Sequence, residues 1–138
     1  LIDDSYNASP ASMRAAFAKT REVWEGQGKK GRMVALLGDM LELGKESAAL
    51  HAALAADVRA TGFSRVYTAG ALMNHLREAL PAPLRAAHVA EAVSLFPILR
   101  KELQSADVVL VKGSHGSHMY ELANALAAPD TKEKQNAL

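Results

Sequence analysis

The sequence has no cysteine. That excludes a disulfide framework, a thiolate zinc site and a cysteine nucleophile. It also lacks an excess of either charge: 16 Lys and Arg face 15 Asp and Glu, a formal net charge of +1. No electrostatic nucleic-acid partner is therefore expected. No run approaches the roughly 18 continuous apolar residues of a membrane span, so no membrane partner is expected either. No signal-peptide pattern opens the chain, which with the absence of cysteine leads us to expect a cytoplasmic location. Residue 1 is not Met, and residues 1–4 already read as the end of a buried strand, so the expectation is a domain of a longer protein. What is present is 138 residues, 49% hydrophobic and 22% charged. That composition excludes a disordered or collagen-like chain, and the length suits one domain with a core of its own. We expect that domain over residues 1–128, followed by a polar tail over 129–138.

Short dense apolar runs alternate with longer helical stripes. Residues 1–4 read as a strand, and residues 10–27 as a helix with Met13, Ala16, Phe17, Thr20 and Trp24 on one stripe. Ser9 before Pro10 is a start signal: a capping oxygen, then a ring with helix-compatible φ. Residues 33–37 form the next strand, and 47–61 a helix with Leu50, Leu54 and Val58 on one face. Residues 65–68 are a strand; Leu72, Leu76 and Leu80 mark a third helix that Pro81 and Pro83 stop. A weak strand at 86–89 precedes a helical stretch at 91–103 that contains Pro97. Either that helix is kinked or a new one starts at Pro97. Residues 107–111 are the strongest strand, and Met119, Leu122, Ala123 and Leu126 give the last stripe. Five strand–helix alternations predict an α/β, Rossmann-like fold: a mostly parallel sheet of about five or six strands with helices on both faces. The two nearly all-apolar strands suit positions covered on both sides.

Ligands of such sheets bind outside the carboxyl ends of the strands. Three predicted strand ends carry chemistry: Asp3-Asp4-Ser5-Tyr6-Asn7-Ala8-Ser9-Pro10, Gly38-Asp39-Met40-Leu41-Glu42-Leu43-Gly44, and Lys112-Gly113-Ser114-His115-Gly116-Ser117-His118. A parallel sheet gathers all three on one rim. Each also has a plainer reading. Asp4 can accept ribose hydroxyls or cap a turn. Tyr6 can stack on a base or cover a helix start. Asn7 and Ser9 both favour turns and caps. Lys112-Gly113-Ser114 before a helix suits a carboxylate or phosphate, or is an ordinary strand-to-helix turn. It is not a P-loop, whose Gly-x4-Gly-Lys-Ser/Thr pattern is absent from the chain. His115 and His118 lack an evident third ligand, and no metal site is assigned. His51 borders the apolar face of its helix, where a hydrogen-bonded structural role outweighs catalysis.

The first block resembles the opening of the C-terminal domain of the Mur ligases, in the group that joins D-alanyl-D-alanine to UDP-N-acetylmuramoyl tripeptide. That group usually reads Asp-Asp-Ser-Tyr-Asn-Ala-Asn-Pro, and Ser9 here replaces an Asn. Leu37-Gly38-Asp39-Met40-Leu41-Glu42-Leu43-Gly44 with His51 downstream, and Val109-Leu110-Val111-Lys112-Gly113-Ser114, match in the same order. The resemblance implies a three-domain, ATP-dependent amide ligase of peptidoglycan synthesis. The N-terminal domain would hold the UDP-sugar, and the central domain the P-loop and most of the Mg2+ coordination. The present domain would close over ATP and help to bind the dipeptide, with no catalytic residue of its own and no activity in isolation. By the same resemblance Asp4 meets the ribose and Asn7 lies near the phosphates, with Tyr6 beside them at the nucleotide. Lys112, Ser114 and Ser117 fall where relatives contact the amine donor, with Asp39 on the same rim. A monomer is expected. The competing readings are a sister Mur or folylpolyglutamate-type ligase domain and a stand-alone nucleotide-binding module. The tyrosine–asparagine spacing disfavours the sisters, which commonly carry His there.

Overall fold

Residues 33–38 and 108–112 have almost no polar side chain, and strands of that kind need cover on both faces. In the computed structural model, which describes residues 1–129, they are the adjacent central strands of a five-stranded sheet. The tail expected over 129–138 lies, but for Pro129, outside the described residues. The strands are β1 (Ile2–Asp4), β2 (Met33–Gly38), β3 (Arg65–Ala69), β4 (Arg85–Val89) and β5 (Val108–Lys112). The helices are α1 (Pro10–Gly26), α2 (Ser47–Thr61), α3 (Met73–Ala79), α4 (Phe96–Glu102) and α5 (Met119–Ala127). The order across the sheet is β1-β5-β2-β3-β4, and every neighbouring pair is parallel.

Alternation along the strands divides the core into two layers. Met33, Ala35, Leu37, Val66 and Leu110 pack with Met13 and Phe17 of α1, Leu54 and Val58 of α2, and Met73 and Leu76 of α3. Val34, Leu36, Tyr67, Val109 and Val111 pack with Leu99 of α4 and with Met119 and Leu122 of α5. Three helices thus cover one face and two the other. Truncating a buried leucine of either layer to alanine costs about 2–5 kcal/mol.

Local signals set the helix ends. The Ser9 hydroxyl accepts from the Ser12 N–H at 3.1 Å, and the Ser12 hydroxyl accepts from the Ser9 N–H at 2.8 Å. This reciprocal cap, with Pro10 in the first turn, fixes where α1 begins. Gly62 takes φ +98° and closes α2 in the left-handed region open to glycine. Pro97 falls in the first turn of α4, after a short 3-10 turn over Ala92–Leu95. A new helix therefore starts there, because proline lacks only an N–H that the first turn does not use. The buried face of α2 is His51, Leu54, Ala55 and Val58, with Leu50 only half buried.

The amino ends of the central strands are tied by charge. Arg32 grips Asp107 through Nε at 2.9 Å and Nη2 at 2.7 Å, and the Val108 N–H donates to the Arg32 carbonyl at 2.8 Å. Gly31, with φ +76°, has no room for a side chain: a Cβ would sit 2.0 Å from the Ala106 carbonyl oxygen. Burial alone would raise the Asp107 carboxyl. The hydrogen bonds from Arg32 and from the Gln104 N–H outweigh it and hold the group below its usual 3.8. Under α4, the Tyr67 hydroxyl donates to Glu102 at 3.0 Å, and burial followed by that carboxylate pushes it up to about 12.

A group whose folded value is depressed stabilises the fold above its unfolded value and ceases to as pH falls through the folded one. Urea unfolding should therefore show stability lost as pH falls below about 4, the usual carboxylate range. Asp107→Ala should lower stability at pH 7 by about 2–3 kcal/mol and flatten that acid limb. An acid limb unchanged in Asp107→Ala would remove the tie from this account.

Candidate functional site: the carboxyl rim of the sheet

With all strands parallel, their carboxyl ends share one edge. Loops leaving β1, β2 and β3 lead to helices on one face, and those leaving β4 and β5 lead to the other. Crevices open where such loops part. One, of about 440 Å³, lies between the β2 and β3 loops and the β4 and β5 loops, with Asp39, Gly70, Glu91, Ser117, His118 and Glu121 among its walls. A second, of about 470 Å³, lies between the β1 and β2 loops, with Asn7, Ser9, Glu42, Ser114 and His115 around it.

The floor between them is backbone in close contact. A Cβ on Gly113 would stand 3.1 Å from the Gly38 Cα and 2.5 Å from the Ser117 hydroxyl, so the ends of β5 and β2 need glycine to meet beneath the start of α5. Ser114 stitches this junction. Its N–H donates to the Asp39 carbonyl at 3.0 Å and its hydroxyl accepts from the Leu41 N–H at 2.9 Å. The Ser117 hydroxyl donates to the Ser114 carbonyl at 2.6 Å. Asp39 accepts from the Met73 N–H at 2.9 Å and so anchors the first turn of α3. Its carboxylate fills the space a side chain on Gly70 would need, 2.5 Å from where the Cβ would be.

Lys112 is the most buried charge of the rim, 1% exposed. Its ammonium donates to Asp4 Oδ2 at 2.9 Å and to the Asn7 carbonyl at 2.7 Å. Asp4 and Lys112 are register partners in the β1–β5 pair, which places the two side chains together. The Asp4 side chain remains 48% exposed. Asp3 turns the other way, accepting from the Ser5 N–H at 3.2 Å and from the Ser5 hydroxyl. Tyr6 is 70% exposed and meets His115 edge-on at 5.2 Å; His115 stacks on Tyr120 at 4.9 Å.

His51 is fully buried at the start of α2. Its Nε2 accepts from the Met40 N–H at 3.0 Å, and Nδ1 lies 2.7 Å from the Ser47 carbonyl. That pair of partners selects the tautomer with hydrogen on Nδ1. His51 therefore holds the β2 loop to α2. His88 pairs with Thr68 through Nδ1 at 2.7 Å, and burial followed by nearby Arg77 holds its imidazole below the usual 6.5.

The seven residues singled out in the sequence all lie on this rim. Lys112 touches both Asp4 and the Asn7 backbone, and Asp39, Ser114 and Ser117 form a second connected group. Tyr6 stands apart from both, over His115. Sequence reasoning passed over Glu91 and Glu121, which line the first crevice from the loop after β4 and from the first turn of α5. It also passed over Glu42, a non-glycine residue at φ +62° beside the second crevice. Glu91 stands two residues after β4, so a carboxylate in the loop that follows a strand is the signal that finds it. Among the described residues no group of three or more His, Asp or Glu side chains is placed to hold a metal ion.

This is a doubly wound parallel α/β domain whose loops converge on a switch-point rim. The family model described as "Mur ligase, glutamate ligase domain" matches residues 1–115, and the chain belongs to that family. It is 34% identical over 129 residues to the UDP-N-acetylmuramoyl-tripeptide--D-alanyl-D-alanine ligase of Bacillus subtilis, a match covering 91% of this chain and 27% of the relative. Against the Escherichia coli ligase of the same name it is 34% identical over 128 residues, covering 91% and 26%. The chain thus spans about a quarter of the length of these relatives. Among solved structures, it resembles a MurF from Acinetobacter baumannii at 29% identity and TM-score 0.68, covering 88% of this chain and 26% of that one. A MurF ligase from Thermotoga maritima, solved in complex with ADP, shares the fold at 22% identity and TM-score 0.65, with the same coverage.

His51→Leu should cost about 1–3 kcal/mol in urea unfolding, because the Met40 N–H is then buried without an acceptor. His75→Ala, on the exposed side of α3, should stay within about 0.5 kcal/mol. Equal effects of the two would contradict the anchoring role of His51.

Proposed function

We propose that this chain is the domain of an ATP-dependent amide ligase that closes over the nucleotide and helps hold D-alanyl-D-alanine for transfer to UDP-N-acetylmuramoyl tripeptide. The observation that carries the reading is the match of nearly the whole chain to ligases of that name, with the matched motifs falling at the strand ends of one rim. On this reading the work is done in peptidoglycan synthesis, in the cytoplasm, together with N-terminal and central domains of the same enzyme.

The chemistry of the rim suits a nucleotide. Asp4 offers a half-exposed carboxylate at a strand end, able to accept two ribose hydroxyls, with its charge balanced by Lys112. Asn7 and Tyr6 are exposed beside it, one able to hydrogen-bond and the other to cover a base. The dipeptide side of the rim is Asp39, Ser114 and Ser117, with Lys112 between the two groups. ATP gives its terminal phosphoryl group to the tripeptide carboxylate, leaving ADP and an acyl phosphate; the dipeptide amine then attacks the acyl carbon and inorganic phosphate departs. On this reading Mg2+ is held mainly by the central domain of the same enzyme. What this chain contributes is orientation of both substrates and exclusion of water on closure.

In the intact ligase, Asp4→Ala should raise the KM for ATP about ten- to a hundredfold, the worth of one charge-assisted hydrogen bond. Steady-state kinetics with each substrate varied separately checks this; an unchanged KM for ATP in a stable variant contradicts the ribose role. The purified chain alone should release no phosphate from ATP and form no amide. Turnover above that of an inactivated control would mean that the reacting groups lie here.

A further inference from the structure

We propose that Lys112 is a positioning residue for the nucleotide side of the rim: it fixes the Asp4 carboxylate and the loop after β1, and itself contacts neither ATP nor the dipeptide. The inference rests on the ribose role given to Asp4 above and assigns its support.

Three observations carry it. The Lys112 side chain is 2% exposed, so its ammonium has no open path to a ligand. A charge so buried requires partners in the fold, because desolvation of a lone ammonium costs several kcal/mol. It has them: Asp4 Oδ2 at 2.9 Å and the Asn7 carbonyl at 2.7 Å take two of its three hydrogens. Second, the pairing is written into the sheet. Asp4 and Lys112 are register partners, and a one-residue slip of β1 would turn Asp4 to the other face. Third, the ion pair is asymmetric. Asp4 keeps about half its side-chain surface open while Lys112 keeps almost none, so the carboxylate faces the ligand and the ammonium stands behind it.

The contact with Asn7 extends the effect. That carbonyl belongs to the segment bearing Tyr6 and Asn7, so one ammonium fixes both the carboxylate and the backbone of the loop. Without it, Asp4 must be ordered at the moment of binding, and nucleotide affinity falls although no direct contact has been removed. A dipeptide held by the Ser114 side of the rim would be unaffected.

The test is a double-mutant cycle in the full-length enzyme, with ATP and D-alanyl-D-alanine varied separately. Lys112→Met, which keeps the length and removes the charge, should raise the KM for ATP about tenfold and leave the dipeptide KM within about twofold. In an Asp4→Ala background, Lys112→Met should add no more than about twofold, since the group it positions is gone. A raised dipeptide KM with unchanged ATP dependence, or effects that multiply in the double variant, would overturn the positioning role and leave the ribose reading of Asp4 intact. An unchanged ATP KM in Asp4→Ala would instead overturn the ribose reading, and the positioning role with it. Should Lys112→Met fail to fold, amine-selective NMR of the wild type decides. The Lys112 ammonium should give a slowly exchanging signal that Asp4→Ala abolishes and that D-alanyl-D-alanine leaves in place. A signal shifted by the dipeptide alone would show direct contact and end the proposal.

Discussion

An ammonium group buried at the end of a central strand constrains everything around it. Lys112 closes β5, the strand between β1 and β2, and its position is tenable only with a carboxylate and a carbonyl turned towards it. Both come from the first seven residues, 105 and 108 positions away in sequence. The short β1 thus has a role beyond completing the sheet, since it delivers the counter-charge. At the opposite edge Arg32 and Asp107 do the equivalent for β2 and β5. The central strand is therefore held at each end by a charged pair, with apolar side chains alone between them.

The rim consequently has a fixed floor and a nucleotide edge that projects from it. Ser114, Ser117, Asp39 and His51 are engaged with backbone groups of neighbouring loops, which makes the junction of β2 and β5 a fixed floor. Asp4, Tyr6 and Asn7 project from that floor. Such a division suits a domain whose part is to orient substrates, because orientation is only as good as the rigidity behind it.

Much of this was legible in the chain. The alternation of elements yields the parallel sheet, and the unbroken apolar runs identify its centre. The Ser9-Pro10 signal sets the start of α1 because capping is local chemistry. Pro97 was ambiguous for the same reason: a proline fits either a kink or a first turn, and only the 3-10 turn before it decides. The face of α2 is centred one residue further on than leucine spacing suggests, since His51 goes inward to meet the Met40 N–H while Leu50 stays half buried. The rim was foreseen as a gathering of loaded loops, but not who meets whom. The Lys112–Asp4 pairing depends on β1 lying beside β5, a neighbourhood set by strand order and not by any local pattern. Glu91 was missed because it follows an edge strand of weak apolar signal.

The central claim is that the carboxyl rim is the face that meets substrates. Hydrogen exchange of the full-length enzyme, with and without a non-hydrolysable ATP analogue and D-alanyl-D-alanine, tests it most directly. Within this domain, slowed exchange is expected only at residues 3–9, 39–46 and 112–118, with residues 26–32 and 104–107 at the opposite edge unchanged. Protection at 26–32 and 104–107 with an unaltered rim would contradict it.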